Sequence, residues 1–200
     1  MLPIIYTYPP AAGLFLATCL VWLVPEMVGM RRQMAKVSRQ AGSIQDRGSL
    51  SILLGLQWSG LALNFLLAWL LPAAAIRWQR TAFFFVGEAA ILLGVGLRWY
   101  SIWVLGRYFT RDVVVSTDQQ VVQDGPYRLI RHPAYSGTFL TMLGVGLVVT
   151  NWASLLCLLL CVFLGHLNRV RIEEQALIRT IGQPYIEYMR HTKRFIPRVY

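Results

Sequence analysis

The sequence predicts an all-α integral membrane protein: five transmembrane helices, the last two forming a C-terminal helical hairpin. Three observations predict it. Of 200 residues, 56% are hydrophobic and only 14% charged, against roughly a quarter charged in soluble domains, and mean hydropathy is +0.50. The apolar residues gather into runs of about 20, the length that crosses a bilayer, with roughly 17 as the lower limit. Arginine and lysine concentrate in alternate connections between those runs.

The first run covers 11–30, the second 50–71 and the third 82–105. The fourth, 134–150, is short; the chain turns at Asn151 and the fifth, 152–168, returns at once, which makes the pair a tight hairpin. The first ten residues carry no positive charge, so a cleaved signal peptide is not expected. Arg31, Arg32, Lys36, Arg39 and Arg47 follow the first run; Arg107, Arg111, Arg128 and Arg131 follow the third; residues 168–200 are also basic. The 72–81 connection holds Arg77 and Arg80 alone. The positive-inside rule then puts the N-terminus outside and the C-terminus in the cytoplasm. The formal charge of +10 reads as topology and attraction to anionic lipid. Nucleic-acid binding is excluded for want of a soluble basic domain to carry it.

Cys19, Cys157 and Cys161 all lie in apolar runs and read as small buried residues. His132, His166 and His191 have no metal-ligand spacing between them, so no metal site is expected. Phosphate-loop and nucleophile-elbow motifs are missing. Glu88 and Arg98 both fall in the third run, about 15 Å apart along a helix, too far to pair. Arg98, among Trp99, Tyr100 and Trp103, reads as a snorkelling arginine in an interfacial belt. Glu88 remains unassigned.

Two polar stretches carry the chemistry. In "DVVVSTDQQVVQDGPY" valines and turn residues predict extended chain, with turns at Asp118 and at Asp124 and Gly125. In "RLIRHPAYSG" Pro133 suits the first turn of the fourth helix and pushes His132 toward an extended conformation. Arg131 and His132 are thereby held at a helix N-terminus, a natural place for an anionic ligand group. Tyr127 and Tyr135 supply faces for an adenine ring or a cation. In "NRVRIEEQALIRTIGQPYIEYM" the fifth helix continues past the membrane, Gly182 stops it, and Pro184 starts a short helix with Tyr185 and Tyr188 on one face. Helical spacing puts Val170, Glu174, Leu177 and Ile181 on one stripe and Arg169, Glu173, Ala176 and Thr180 on another. Arg169 and Glu173 are spaced for a solvated ion pair, or for lining a pocket just below the membrane.

The ordered set "LGRYFT", "VVQDGPYRLIRHPAYSG", Asn151, "RVRIEEQALIRTIGQPYIEY" and a closing Ile196 and Pro197 resembles the isoprenylcysteine carboxyl methyltransferases and the integral membrane methyltransferases around them. The resemblance runs from Gly106 to Pro197. The apolar runs give three N-terminal transmembrane helices over 1–105, and the resemblance implies a methyltransferase core over 106–200, with a cytoplasmic cofactor pocket for S-adenosyl-L-methionine. It places cofactor contacts at Gln119, Gln120, Val121, Val122, Tyr127, His132, Pro133, Ala134, Tyr135 and Glu173, and a substrate-contacting arginine at Arg169. Arg131 joins the cofactor set from its place at the helix N-terminus, and Arg169 and Glu173 form the catalytic pair. The implied acceptor is a lipid-borne carboxylate such as a prenylcysteine-like C-terminus. Family members often carry histidine where this chain has Gln119 or Gln120. A phospholipid amine or a small thiol is the alternative acceptor; a sterol-type reductase and a non-catalytic membrane scaffold are the competing functions.

Overall fold

The computed structural model describes residues 2–37, 46, 48–110 and 120–197, with backbone alone over 30–37. Gln119, and the extended chain expected across 111–119, lie outside the described residues. The helices are α1 (Ile4–Thr7), α2 (Pro9–Val37), α3 (Ser49–Leu70), α4 (Arg80–Leu105), α5 (Pro133–Val149), α6 (Trp152–Ile181) and α7 (Gln183–His191). Among the described residues there is no strand beyond two isolated bridges, Ala75 with Asn151 and Ile130 with Lys193.

Four helices, α2, α3, α4 and α6, are long and apolar enough to cross a membrane. The fifth expected span, α5, has 17 residues, or about 25 Å at 1.5 Å per residue. It is apolar all round because it is surrounded: Met142, Val145, Val148 and Val149 are fully buried, as expected of a helix without a polar face.

What surrounds α5 closely is α4, and glycine is the reason. Gly87 and Gly94 on α4 face Gly144 and Gly137 on α5, running antiparallel. A Cβ on Gly87 would stand 2.7 Å from the Gly144 carbonyl oxygen, and one on Gly137 would stand 2.7 Å from that of Gly94. Each pair is seven residues apart, two helical turns, so both glycines of a helix share one face. Without a hydrophobic drive between helices in lipid, such backbone contact provides the van der Waals packing that holds them together. Gly144 packs against Gly87 and Ile91, and Gly146 against Leu155, so both are used inside the chain. On the other flank α3 packs along α6, Gly60 on Leu158 and Cys161 and Gly165 on Leu53.

Asn151 makes the hairpin turn. Its side chain accepts the Ser154 N–H at 3.1 Å, capping α6, and donates to the Leu71 carbonyl at 2.9 Å. Arg98 corrects the expectation of a snorkelling arginine. It forms a salt bridge with Glu26 of α2 and donates to Thr138 of α5 at 3.2 Å, joining three helices. Glu88 is buried on α4, with Thr18 and Cys19 of α2 as polar neighbours.

The glycine seam sets a stability test. Gly94→Ala puts a methyl group against the Thr141 backbone nitrogen at 2.5 Å, whereas Gly96 has open space. Overpacking costs about 1–3 kcal/mol, so Gly94→Ala lowers the melting temperature of the detergent-solubilised protein. Gly96→Ala leaves it unchanged or raises it slightly, alanine being the better helix former. Equal melting curves for the two variants contradict the seam.

Candidate active site at the membrane surface

With 30 residues, α6 is about 45 Å long against a hydrocarbon core of about 30 Å. Its last turns therefore reach past a core of that thickness and carry Glu173 and Glu174, with Arg169 one turn before Glu173. Gly182, at φ 75°, ends it, and α7 folds back with Pro184 in its first turn, as the sequence indicates. Tyr185 and Tyr188 of α7 are buried. The Tyr188 hydroxyl donates to the Tyr127 carbonyl at 2.6 Å, tying α7 to the 3₁₀ turn Gly125–Arg128.

The turn into α5 is held from behind by the C-terminal tail. His132 sits at φ −124°, ψ 57° with Pro133 at the helix start, outside the helical region as a following proline demands. The Arg131 and His132 N–H groups donate to the Lys193 and Arg194 carbonyls at 2.8 and 3.0 Å, and the Ser136 hydroxyl donates to the Phe195 carbonyl at 2.7 Å.

Glu174 anchors this arrangement. Its side chain is 5% exposed. It accepts from Arg131 Nε at 2.9 Å and Arg194 Nη2 at 2.8 Å, and faces His132 Nε2 at 3.3 Å. Arg131 also donates to the Met189 and Thr192 carbonyls. The expectation that Arg131 awaits an anionic ligand group is therefore corrected. It reaches the cleft wall, but its guanidinium is engaged by the protein.

On the open side of that wall, Gln120, Val121, Val122, Tyr127, His132, Ala134, Tyr135, Arg169 and Glu173 all line one cleft, with Leu105, Tyr108, Phe109, Thr110, Leu177, Ile181, Tyr185 and Tyr188. The fold thus gathers most of the expected set. Pro133 is buried and is absent from the cleft lining, shaping the turn.

Arg169 and Glu173 do not pair with each other as a solvated i,i+4 couple. Arg169 is 2% exposed. It forms a salt bridge with Asp46, donates to Ser49 Oγ at 2.7 Å and donates through Nε to Tyr135 Oη at 3.3 Å. The Tyr135 hydroxyl in turn donates to Glu173 Oε2 at 2.8 Å. The Glu173 side chain is 30% exposed, so adjacent glutamates on one helix divide into one buried carboxylate and one presented to the cleft. His132 and Tyr135 stack, with ring centroids 5.6 Å apart.

Burial raises the Tyr127 and Tyr185 phenols and pushes Tyr188 up to about 12. All three stay protonated at neutral pH and present neutral rings, and the Tyr188 hydroxyl donates. Burial acts to raise the Asp46 carboxyl, but the Leu50 N–H, the Ser49 hydroxyl and Arg169 together hold it below the usual carboxylate range.

Asp46, Ser49 and Glu174 escaped sequence reasoning as site residues. Asp46 and Ser49 are more than 100 positions from Arg169, with no local signal. Glu174 had one: it shares a stripe with the apolar Val170 and Leu177, which marks it as inward-facing.

Removing the Glu174 carboxylate leaves three cationic or proton-bearing groups without their shared acceptor. Breaking a buried ion pair costs about 3–5 kcal/mol. Glu174→Ala therefore melts far below the wild type, while Arg194→Ala, whose side chain is 27% exposed, melts close to it. A Glu174→Ala protein as stable as the wild type would rule out the anchor.

The geometry can be set beside known proteins. A family profile described as phospholipid methyltransferase matches residues 82–183. The chain is 30% identical to protein-S-isoprenylcysteine O-methyltransferase B of Arabidopsis thaliana, over 56% of this chain and 58% of that protein. It is 30% identical to the Saccharomyces cerevisiae protein-S-isoprenylcysteine O-methyltransferase, over 56% of this chain and 48% of the relative. The chain thus spans about half the length of these curated relatives. A solved structure of a eukaryotic intramembrane Ras methyltransferase, an isoprenylcysteine carboxyl methyltransferase, superposes with a TM-score of 0.65 at 24% identity, covering 98% of this chain and 70% of that one; the two share a fold. With the profile covering half of the sequence and the apolar helices to match, this integral membrane chain belongs to the phospholipid methyltransferase family, among relatives named isoprenylcysteine O-methyltransferases.

Proposed function

We propose that the protein is a membrane methyltransferase that uses S-adenosyl-L-methionine to methylate a lipid-borne carboxylate, such as a prenylcysteine-like C-terminus. Residues 106–200 serve as the methyltransferase core and 1–105 as its membrane scaffold. The observation that carries the reading is the carboxylate of Glu173, part-exposed on a wall of tyrosines.

That donor set fits the cofactor. Tyr127, Tyr135, Tyr185 and Tyr188 offer rings to an adenine or a cation, a contact worth about 0.5–2 kcal/mol. Val121, Val122, Leu177 and Ile181 supply apolar wall, and Glu173 offers an anion. When bound, the cofactor supplies an electrophilic methyl group on a sulfonium. Glu173 counters positive charge in the cleft. Tyr135, its hydroxyl held between Arg169 and Glu173, keeps its ring in a fixed orientation. Arg169 orients the acceptor carboxylate, which is ionised at neutral pH, so alignment matters more than a general base. The apolar wall excludes water.

The family description favours a second acceptor, a phospholipid amine. Such an acceptor must lose a proton, for which His132 or Glu173 is placed in the cleft.

Arginine and lysine distribution supports an outside N-terminus and a cytoplasmic cleft. In a cysteine-free background, single cysteines at the exposed positions Trp78 and Arg190 react with a membrane-impermeant thiol reagent from opposite sides, Trp78 from outside. Labelling of both from one side overturns the topology.

Cofactor and acceptor roles separate by mutation. S-adenosylhomocysteine raises the wild-type melting temperature and NADPH does not. Glu173→Gln weakens cofactor binding. Arg169→Lys keeps the charge but loses the planar fork. It retains cofactor affinity and slows methylation of a prenylcysteine carboxylate by about ten- to a hundred-and-fifty-fold, the equivalent of about 1.5–3 kcal/mol. Calorimetric titration and single-turnover methylation read the two effects. Methyl transfer to phosphatidylethanolamine but not to the carboxylate would give the reaction to the second reading.

A further inference from the structure

We infer that Asp46 and Ser49 position Arg169 for the acceptor, which makes the start of α3 part of the substrate end of the site. The inference rests on the methyltransferase reading above.

The argument begins at the start of α3. Gly48, at φ 76°, turns the chain into the helix, and Asp46 folds back over its first turn. One carboxylate oxygen, Oδ2, accepts the Leu50 N–H at 3.2 Å, which caps the helix at the end where its dipole favours an anion. The other, Oδ1, faces away from that N–H, accepting the Ser49 hydroxyl at 2.8 Å and pairing with Arg169. A cap alone needs one oxygen. The second oxygen is spent on a guanidinium from a different helix.

Ser49 completes the grip, because its Oγ accepts from the same Arg169 Nη1 while donating to Asp46. Arg169 is thus held at Nη1 by α3 and at Nε by Tyr135 of α5, while it lines the cleft. An arginine side chain carries about 2 kcal/mol of rotamer entropy. Fixing it before substrate arrives removes that ordering cost from binding. Asp46 and Ser49 touch neither cofactor nor acceptor in this scheme; they act through Arg169.

The test is steady-state methylation of an N-acetylated prenylcysteine with Asp46→Asn, Asp46→Glu and Ser49→Ala, beside S-adenosylhomocysteine titration and melting curves. Ser49→Ala loosens the grip without leaving a buried charge unpaired, so it remains informative if Asp46→Asn fails to fold. The expected result is an acceptor KM raised about tenfold or more, a cofactor Kd within about twofold of wild type, and partial recovery in Asp46→Glu; tenfold corresponds to about 1.4 kcal/mol. Unchanged kinetics in Ser49→Ala and Asp46→Asn overturn the inference. So does a uniform fall in melting temperature, cofactor affinity and turnover, which would make the cluster only structural. If the wild type binds S-adenosylhomocysteine but methylates no carboxylate, the acceptor assignment fails and the positioning role falls with it.

Discussion

One buried carboxylate holds the cleft together. Glu174 belongs to α6, Arg131 and His132 to the turn before α5, and Arg194 to the C-terminal tail. Three segments far apart in sequence meet at a single side chain. Two guanidiniums crowded behind the cleft without a carboxylate between them would repel one another. With Glu174 among them they become a clamp, and the backbone pairing of Arg131 and His132 with Lys193 and Arg194 can form. The geometry of His132, Ala134 and Tyr135 at the cleft follows from that clamp, since Pro133 fixes the chain direction once the turn is set.

The membrane determines where the clamp can be. Backbone groups in hydrocarbon must be satisfied within helices, so the irregular turn at 129–132 has to lie outside it. The glycine seam between α4 and α5 brings that turn down beside the end of α4, while the length of α6 carries its acidic turns past the membrane to meet it. The ion pair of Arg98 with Glu26 lies at the same end of α4. Placement of the site at the surface is thus a consequence of helix lengths and of one close-packed seam.

Much of this was legible in the sequence. Apolar runs gave the helices, Asn151 the hairpin tip, Gly182 the end of α6, and Pro133 the start of α5, because each reports local backbone chemistry. The cleft residues between Gln120 and Tyr135 were legible through ordered motifs. What could not be read is what depends on approach between distant segments. The Arg98 bond to Glu26 and the Arg169 bond to Asp46 have no sequence signature, and the two glutamates at 173 and 174 look alike until packing buries one. Arg131 misled for the same reason. A cation at a helix start invites an anionic ligand only if no protein carboxylate reaches it first.

That competition between protein and ligand for charges decides the electrostatic character of the cleft. Arg131 and Arg194 are committed to Glu174, Arg98 to Glu26 and Arg169 to Asp46. Arg98 and Arg169 each have a carboxylate of their own, whereas Arg131 and Arg194 share Glu174, so three carboxylates offset only part of the charge of four guanidiniums. Glu173 has different neighbours: the Tyr135 hydroxyl, a neutral donor, satisfies Oε2 at 2.8 Å without cancelling the charge, and His132 Nδ1 stands 4.0 Å from the same oxygen. A part-exposed carboxylate bonded to a neutral phenol gives the cleft a local place for a positively charged group, although the chain as a whole carries +10. A sulfonium bearing an ammonium group suits such a place, and the tyrosine rings, held neutral by burial, add to it. The positive charge of the chain as a whole therefore does not set the local field at Glu173, where a carboxylate faces the cleft.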